Sequence, residues 1–142
     1  MEAGFELLDH TADVKVHAWG PSIGECFSAA ASAVLAVAYG DVKAEAKEAR
    51  TIKLSAWEPQ LLLIAFLMDI ILLMEDGFVP ATFTVKVKED KDKYVLEATA
   101  KGEPHVPAKH GIGTEIKAVT HHGLALNETQ DGGYEATVLL DL

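Results

Sequence analysis

The 142-residue sequence predicts an α+β fold, with two helices packed on a mixed, mostly antiparallel sheet. Three observations carry this reading. Two long apolar segments have helical character, one opened by Ser22 and stopped near Tyr39-Gly40, the other running from Leu61 to Met74. Strand-like segments precede and follow them, and four strands gather after the second helix; segregation of this kind argues for α+β rather than α/β. Hydrophobic residues make up 49% and charged residues 24%, enough apolar surface for a core and enough charge for a wet surface. The length is that of one domain, so residues 1–142 are read as a single unit.

Each element has a local reason. Phe5-Glu6-Leu7-Leu8 is a short apolar run fit for a first strand. Val14, Val16 and Ala18 alternate with Lys15, His17 and Trp19, the period of a half-buried strand, and Gly20-Pro21 stops it. Ser22-Ile23-Gly24-Glu25 fits a capping box ahead of the Ala-rich helix, whose small residues suit close packing. Asp41 to Lys47 is a charged connection, and Thr51, Ile52 and Leu54 suggest a strand to about Ser55. Glu58-Pro59 opens the second helix, with proline tolerated in the first turn. That helix is apolar nearly all round, as expected of a central core helix, and Glu75-Asp76-Gly77 ends it. Phe83, Val85 and Val87 alternate with Thr84, Lys86 and Lys88; Glu89 to Lys93 is a charged hairpin tip, and Tyr94 to Ala100 returns. Gly102 to Gly113, with Pro104 and Pro107, is expected to be a long loop. Ile116 to Leu126, the Gln130-Asp131-Gly132-Gly133 turn and Tyr134 to Leu142 form the closing hairpin.

Charge narrows the function. Acidic residues number 22 against 12 basic ones, giving a net charge of −10, and Arg50 is the sole arginine. A nucleic-acid binder needs a basic stripe, and bidentate phosphate readers prefer arginine. Direct RNA or DNA binding is therefore not expected. The single cysteine, Cys26, allows no intrachain disulfide and no zinc cluster, which points to a reduced, cytoplasmic setting. The N-terminus lacks a basic region followed by an apolar run, so it does not read as a secretory signal. The stretch Leu61 to Met74 contains Asp69 and is shorter than the roughly 20 residues needed to cross a bilayer. No membrane role is expected.

Few residues offer chemistry. Gly111-Ile112-Gly113 lacks the third glycine of a dinucleotide loop. Cys26 falls within the Ala-rich helix and reads as a packed thiol. His121 and His122 are adjacent on a predicted strand, so they point to opposite faces and do not easily serve one mononuclear site together. His10, His17, His105 and His110 show no helical i, i+4 metal spacing. Asp13, at the entry to a strand, reads alone as a turn residue bonding its own backbone. Asp141 stands next to Leu142, so a side-chain carboxylate and an α-carboxylate are expected at one strand end. Such oxygen anions repel unless solvated or neutralised, and hard cations take oxygen ligands of this kind. Spacing alone does not bring Asp13 to Asp141.

At His10-Thr11-Ala12-Asp13-Val14, with Gly20, Glu25 and Phe27 beyond it, the chain resembles the archease family. A second match is Gly102-Glu103, then Lys109-His110 and Lys117-Ala118-Val119-Thr120-His121-His122; a third is Val138-Leu139-Leu140-Asp141-Leu142. Together they span nearly the whole chain in order. His121 stands where the family usually has tyrosine, and Val106 near a usually acidic position. The resemblance implies helices on a mixed sheet and an accessory protein, not an enzyme, for the RtcB-type RNA ligase of tRNA splicing. Its implied role is to promote guanylylation of the ligase and repeated turnover in exon joining. It further implies that Asp13, Asp141 and the Leu142 carboxylate hold a divalent cation, Ca²⁺ in relatives with Mg²⁺ or Mn²⁺ as options, and that Lys117 serves activation. His10 and His122 are then expected as outer groups around the site. The competing readings are a small metal-dependent hydrolase using the same carboxylates, and a chaperone of another RNA-modifying enzyme.

Overall fold

The computed structural model describes residues 1–9 and 12–142. Its elements run β1 (Gly4–Asp9), β2 (Asp13–Gly20), α1 (Ile23–Tyr39), β3 (Glu48–Ala56), α2 (Pro59–Glu75), β4 (Phe78–Asp90), β5 (Lys93–Pro104), α3 (Pro107–His110), β6 (Ala118–Glu128) and β7 (Tyr134–Asp141). The α+β class holds. The expected sheet is divided in two, β1-β2-β7-β6 and β3-β5-β4, and the pairings among the described residues are antiparallel rather than mixed. Hairpins account for β1–β2, β4–β5 and β6–β7, and antiparallel pairs need only short turns. The third helix, α3, is a single turn within the stretch expected to be loop. Around it, β5 runs on to Pro104, and the Thr114 amide bonds the Ala38 carbonyl at 2.7 Å, tying the segment before β6 to the end of α1.

Both long helices touch both sheets: α1 lies against β2 and β4, and α2 against β6 and β3. Ser22 caps α1 as expected, its hydroxyl accepting from the Glu25 amide at 3.1 Å. The other half of the expected box differs. The Glu25 carboxylate accepts from the Ser22 hydroxyl at 3.1 Å instead of reaching the backbone. Burial is shared between the helices. α2 buries seven residues, Leu63, Phe66 and Leu67 completely. α1 buries nine, mostly alanines that let β4 approach. Gly24 marks the closest approach, where a Cβ would fall on the Val85 carbonyl oxygen. No described helix is long and apolar enough to cross a membrane.

In β2 the even positions Val16 and Ala18 are buried beneath the helices, and in β7 so are Ala136, Val138 and Leu140. The alternate residues, Asp13, Lys15 and His17 with Thr137, Leu139 and Asp141, therefore share the outer face of the sheet.

Candidate functional site

β2 and β7 are antiparallel, and their register pairs Asp13 directly with Asp141. Opposed residues of such a pair have Cα atoms about 4.5–5.5 Å apart with side chains on one face. Two residues far apart in sequence thus meet at one sheet end. Asp141 is also the register partner of Ala118 on β6, and its carbonyl accepts from the Lys117 amide at 2.8 Å. The Leu142 amide donates to the Ala12 carbonyl at 3.3 Å, which keeps residue 142 beside the start of β2. Asp13, Asp141, Leu142 and Lys117 are so gathered at one edge. His10, expected as an outer group of this site, lies outside the described residues, as does Thr11.

His122 joins from β6. Register is lost between Thr120, opposite Leu139, and Ala125, opposite Thr137. Residues 121–124 bulge out against a single residue of β7, and Gly123 takes φ +70°, a conformation that favours glycine. The alternation expected for the two adjacent histidines fails here: His121 and His122 are both exposed. The bulge forms one wall of a cavity of about 200 Å³, bordered by Asp13, Lys15, His122, Gly123 and Thr137.

The donor set fits a hard divalent cation. Two carboxylates directly opposed on one face offer hard oxygens of the kind a divalent cation takes. Among the described residues no group of three or more His, Cys, Asp or Glu side chains is arranged for a metal. A cation here would therefore need a further oxygen, of the kind an α-carboxylate at residue 142 would supply.

A second polar centre lies within the fold. Glu103 on β5 is 4% exposed, and its Oε2 accepts from Lys109 Nζ at 2.7 Å, the Glu45 amide at 2.7 Å and His110 Nε2 at 3.2 Å. Lys47 Nζ stands 3.7 Å from Oε1. The Lys109 ammonium, followed by the Glu45 amide, holds the Glu103 carboxyl down at about 2, and Glu103 in turn raises Lys109. His105 stacks on His110 and meets the Tyr39 ring at a tilt, and its Nε2 is 2.7 Å from the Gly111 carbonyl. This network anchors α3 and the segment leading to Lys117. Residue spacing pointed to loop histidines here, and the only sequence signal was the Gly102-Glu103 and Lys109-His110 match. Cys26, fully buried, has its thiol pushed up to about 12 by burial and by Glu135, so it behaves as a packing group.

The sequence matches the Archease protein family over residues 5–142. The protein archease of Methanosarcina acetivorans is 36% identical over 140 residues, covering 97% of this chain and 95% of its own. That of Pyrococcus abyssi is 32% identical over 139 residues, covering 97% and 98%. The solution structure of protein 1598 from Methanobacterium thermoautotrophicum superposes with a TM-score of 0.84 at 32% identity, over 98% of this chain and 99% of that one. The crystal structure of a Thermotoga maritima archease, described as a possible chaperone, shares the fold with a TM-score of 0.62 at 22% identity over 96% of each chain. With a family match from Phe5 to the last residue and relatives alike over almost their full length, the chain belongs to the archease family.

Proposed function

We propose that this archease is a non-catalytic accessory protein that activates an RtcB-type RNA ligase, promoting its guanylylation and repeated turnover in tRNA exon joining. Its working part is a divalent-cation site made by Asp13, Asp141 and the Leu142 carboxylate, with Ca²⁺ as the favoured ion and Mg²⁺ or Mn²⁺ as alternatives. The observation that supports this most is the register pairing of Asp13 with Asp141. It sets two hard-oxygen donors on one rigid sheet end, as an oxygen-ligated cation requires.

The chain's own residues have distinct parts in this reading. Asp13 and Asp141 hold the ion, and pairing of β7 on both sides, with β2 and β6, keeps Asp141 in place. Lys117, exposed and joined to Asp141 through its backbone, adds a positive charge near the site for an anionic group of the ligase. A bound divalent cation supplies concentrated positive charge at an otherwise acidic edge. The net charge of −10 leaves RNA contacts to the ligase.

The experiment is a ligation time course with limiting ligase, with and without this protein. Product beyond one equivalent of ligase, dependent on the added protein and lost with Asp13→Asn, is expected. No gain in turnover would reject the reading. Phosphoester hydrolysis by the pure protein with metal would favour the hydrolase alternative.

A further inference from the structure

We propose that the outer face of the β3-β5-β4 sheet is a docking surface for the phosphate backbone of an RNA duplex, held by lysines that project from all three strands. This goes beyond the cation-site reading and does not rest on it.

Strand alternation makes the face. Ile52 on β3, Leu96, Ala98 and Ala100 on β5, and Phe83 and Val85 on β4 turn inward to the core. The residues between them turn outward. Register then sets Lys53 and Lys86 on either side of Glu97, with Lys88 two residues beyond Lys86, and puts Lys93 and Lys101 toward the two ends of β5. All five lysines are exposed. Among the described residues the lysine ion pairs belong to Lys47 and Lys109, so none of these five ammonium groups is neutralised by a neighbouring carboxylate. Glu97 and Asp90 are the acidic residues of the face. The outer face of the other sheet, by contrast, carries Glu6, Asp13, Glu135 and Asp141. A net charge of −10 tells against nucleic acid for the surface as a whole, but the fold sorts that charge, and this face is basic.

Composition narrows the partner. Lysines on edge strands hinder unwanted sheet pairing, yet Lys93 and Lys101 belong to the central strand, where no edge needs guarding. Protein interfaces are poor in lysine and have apolar, aromatic-rich centres. Here the lysines are interleaved with hydroxyls instead, and Thr51, Thr99 and Thr84 form one row across the sheet. Ammonium and hydroxyl groups are donors that proteins turn toward phosphate oxygens. Phe83 and Tyr94 pack against the core, and the outward residues of these strands include no aromatic ring on which an unpaired base could stack. Single-strand binders rely on such stacking, so a duplex is the better fit. The wide, shallow minor groove of an RNA duplex offers phosphates and 2′-hydroxyls to a broad surface, whereas the major groove of B-DNA takes a helix or a two-stranded ribbon.

The test is fluorescence anisotropy of a labelled RNA hairpin with a fully paired stem, titrated with the intact protein across about 50–200 mM salt. Binding is expected, with a log–log salt slope of about −3 to −4, as for three or four neutralised phosphates. Lys53→Gln, Lys86→Gln and Lys101→Gln should each weaken it severalfold and reduce the slope by about 1. Lys15→Gln, on the other sheet, and Asp13→Asn should change neither. The proposal is overturned if the hairpin does not bind at the lowest salt, or if the three variants bind it as the wild type does. Unpaired RNA or duplex DNA bound as tightly as the hairpin would also overturn it. Polyglutamate bound in place of the hairpin would assign the face to an acidic protein surface and exclude RNA. The assay contains no ligase and no divalent cation, so its failure leaves ligase activation to the turnover experiment, and a failure there leaves this result untouched.

Discussion

Glu103 and His110 hydrogen-bond in the interior, Oε2 to Nε2 at 3.2 Å, and a neighbouring contact settles which nitrogen of the ring carries the proton. The Val106 amide donates to His110 Nδ1 at 2.9 Å. A backbone N–H can only donate, so Nδ1 is the acceptor and Nε2–H donates to Glu103. The carboxylate thereby gathers three donors, from Lys109, the Glu45 amide and His110.

This network gives the fold an acid limit. Glu103 titrates at about 2 against an ordinary 4.5, depressed chiefly by Lys109. A depressed carboxylate contributes stability that is fully present above pH 4.5 and is lost as pH falls through about 2. Melting temperatures of the wild type should fall between these values, and those of Glu103→Gln should start lower and fall less. Parallel curves for the two proteins would show that Glu103 does not set the limit.

Truncation within α2 tests the core. Leu63 and Leu67 are fully buried, and removing such a side chain costs about 2–5 kcal/mol. Chemical denaturation of Leu63→Ala and Leu67→Ala should show losses in that range with slopes unchanged. Loss near zero for both would mean the helix is not packed as described.

Gly24→Ala probes the contact between α1 and β4. The added methyl falls on the Val85 carbonyl oxygen, a backbone atom that cannot swing aside. Overpacking of this kind costs about 1–3 kcal/mol. A substitution that raised stability through alanine's better helix propensity alone would contradict the contact.

Lys117→Ala separates fold from function. The side chain is exposed, so stability should stay within about 0.5 kcal/mol of the wild type. Activation of the ligase is expected to drop. Full activation by the variant removes Lys117 from the proposed role.

In the proposed cation site the third donor is the Leu142 α-carboxylate, and adding residues after Leu142 would replace it with a neutral amide. Calcium affinity, followed by calorimetry, should fall for the extended protein and for Asp13→Asn. A solvated terminus would tolerate the extension without change, and that result would exclude Leu142 as a ligand.

Much of the fold could be read locally. Ser22, the all-round apolar face of 61–74 and the Gln130–Gly133 turn each carry their own signal, and each marks an element that is present. What could not be read were the relations between distant segments. Strands of both sheets alternate in the same way, so nothing local tells β3 to pair with β5 and β2 with β7. α3 is one turn, too short for a helical period. Glu103, between Gly102 and Pro104, resembles a loop residue because its burial depends on Lys109 and His110 arriving through that turn. The β6 bulge left only Gly123 as a trace. Asp13 and Asp141 could be singled out individually, but their encounter is a matter of register.

The strand order β1-β2-β7-β6 has a kinetic consequence. During synthesis the first hairpin leaves the ribosome long before its neighbour β7, and it must wait with that edge unsatisfied. Pairings between remote segments close slowly, because chain entropy is lost before contacts compensate it. The β3-β5-β4 sheet, whose strands are nearer in sequence, can form earlier and hold α1 and α2 for the late arrival. The carboxylate pair comes into being only in the final step, so a chain that stalls before β7 has no half-built version of it.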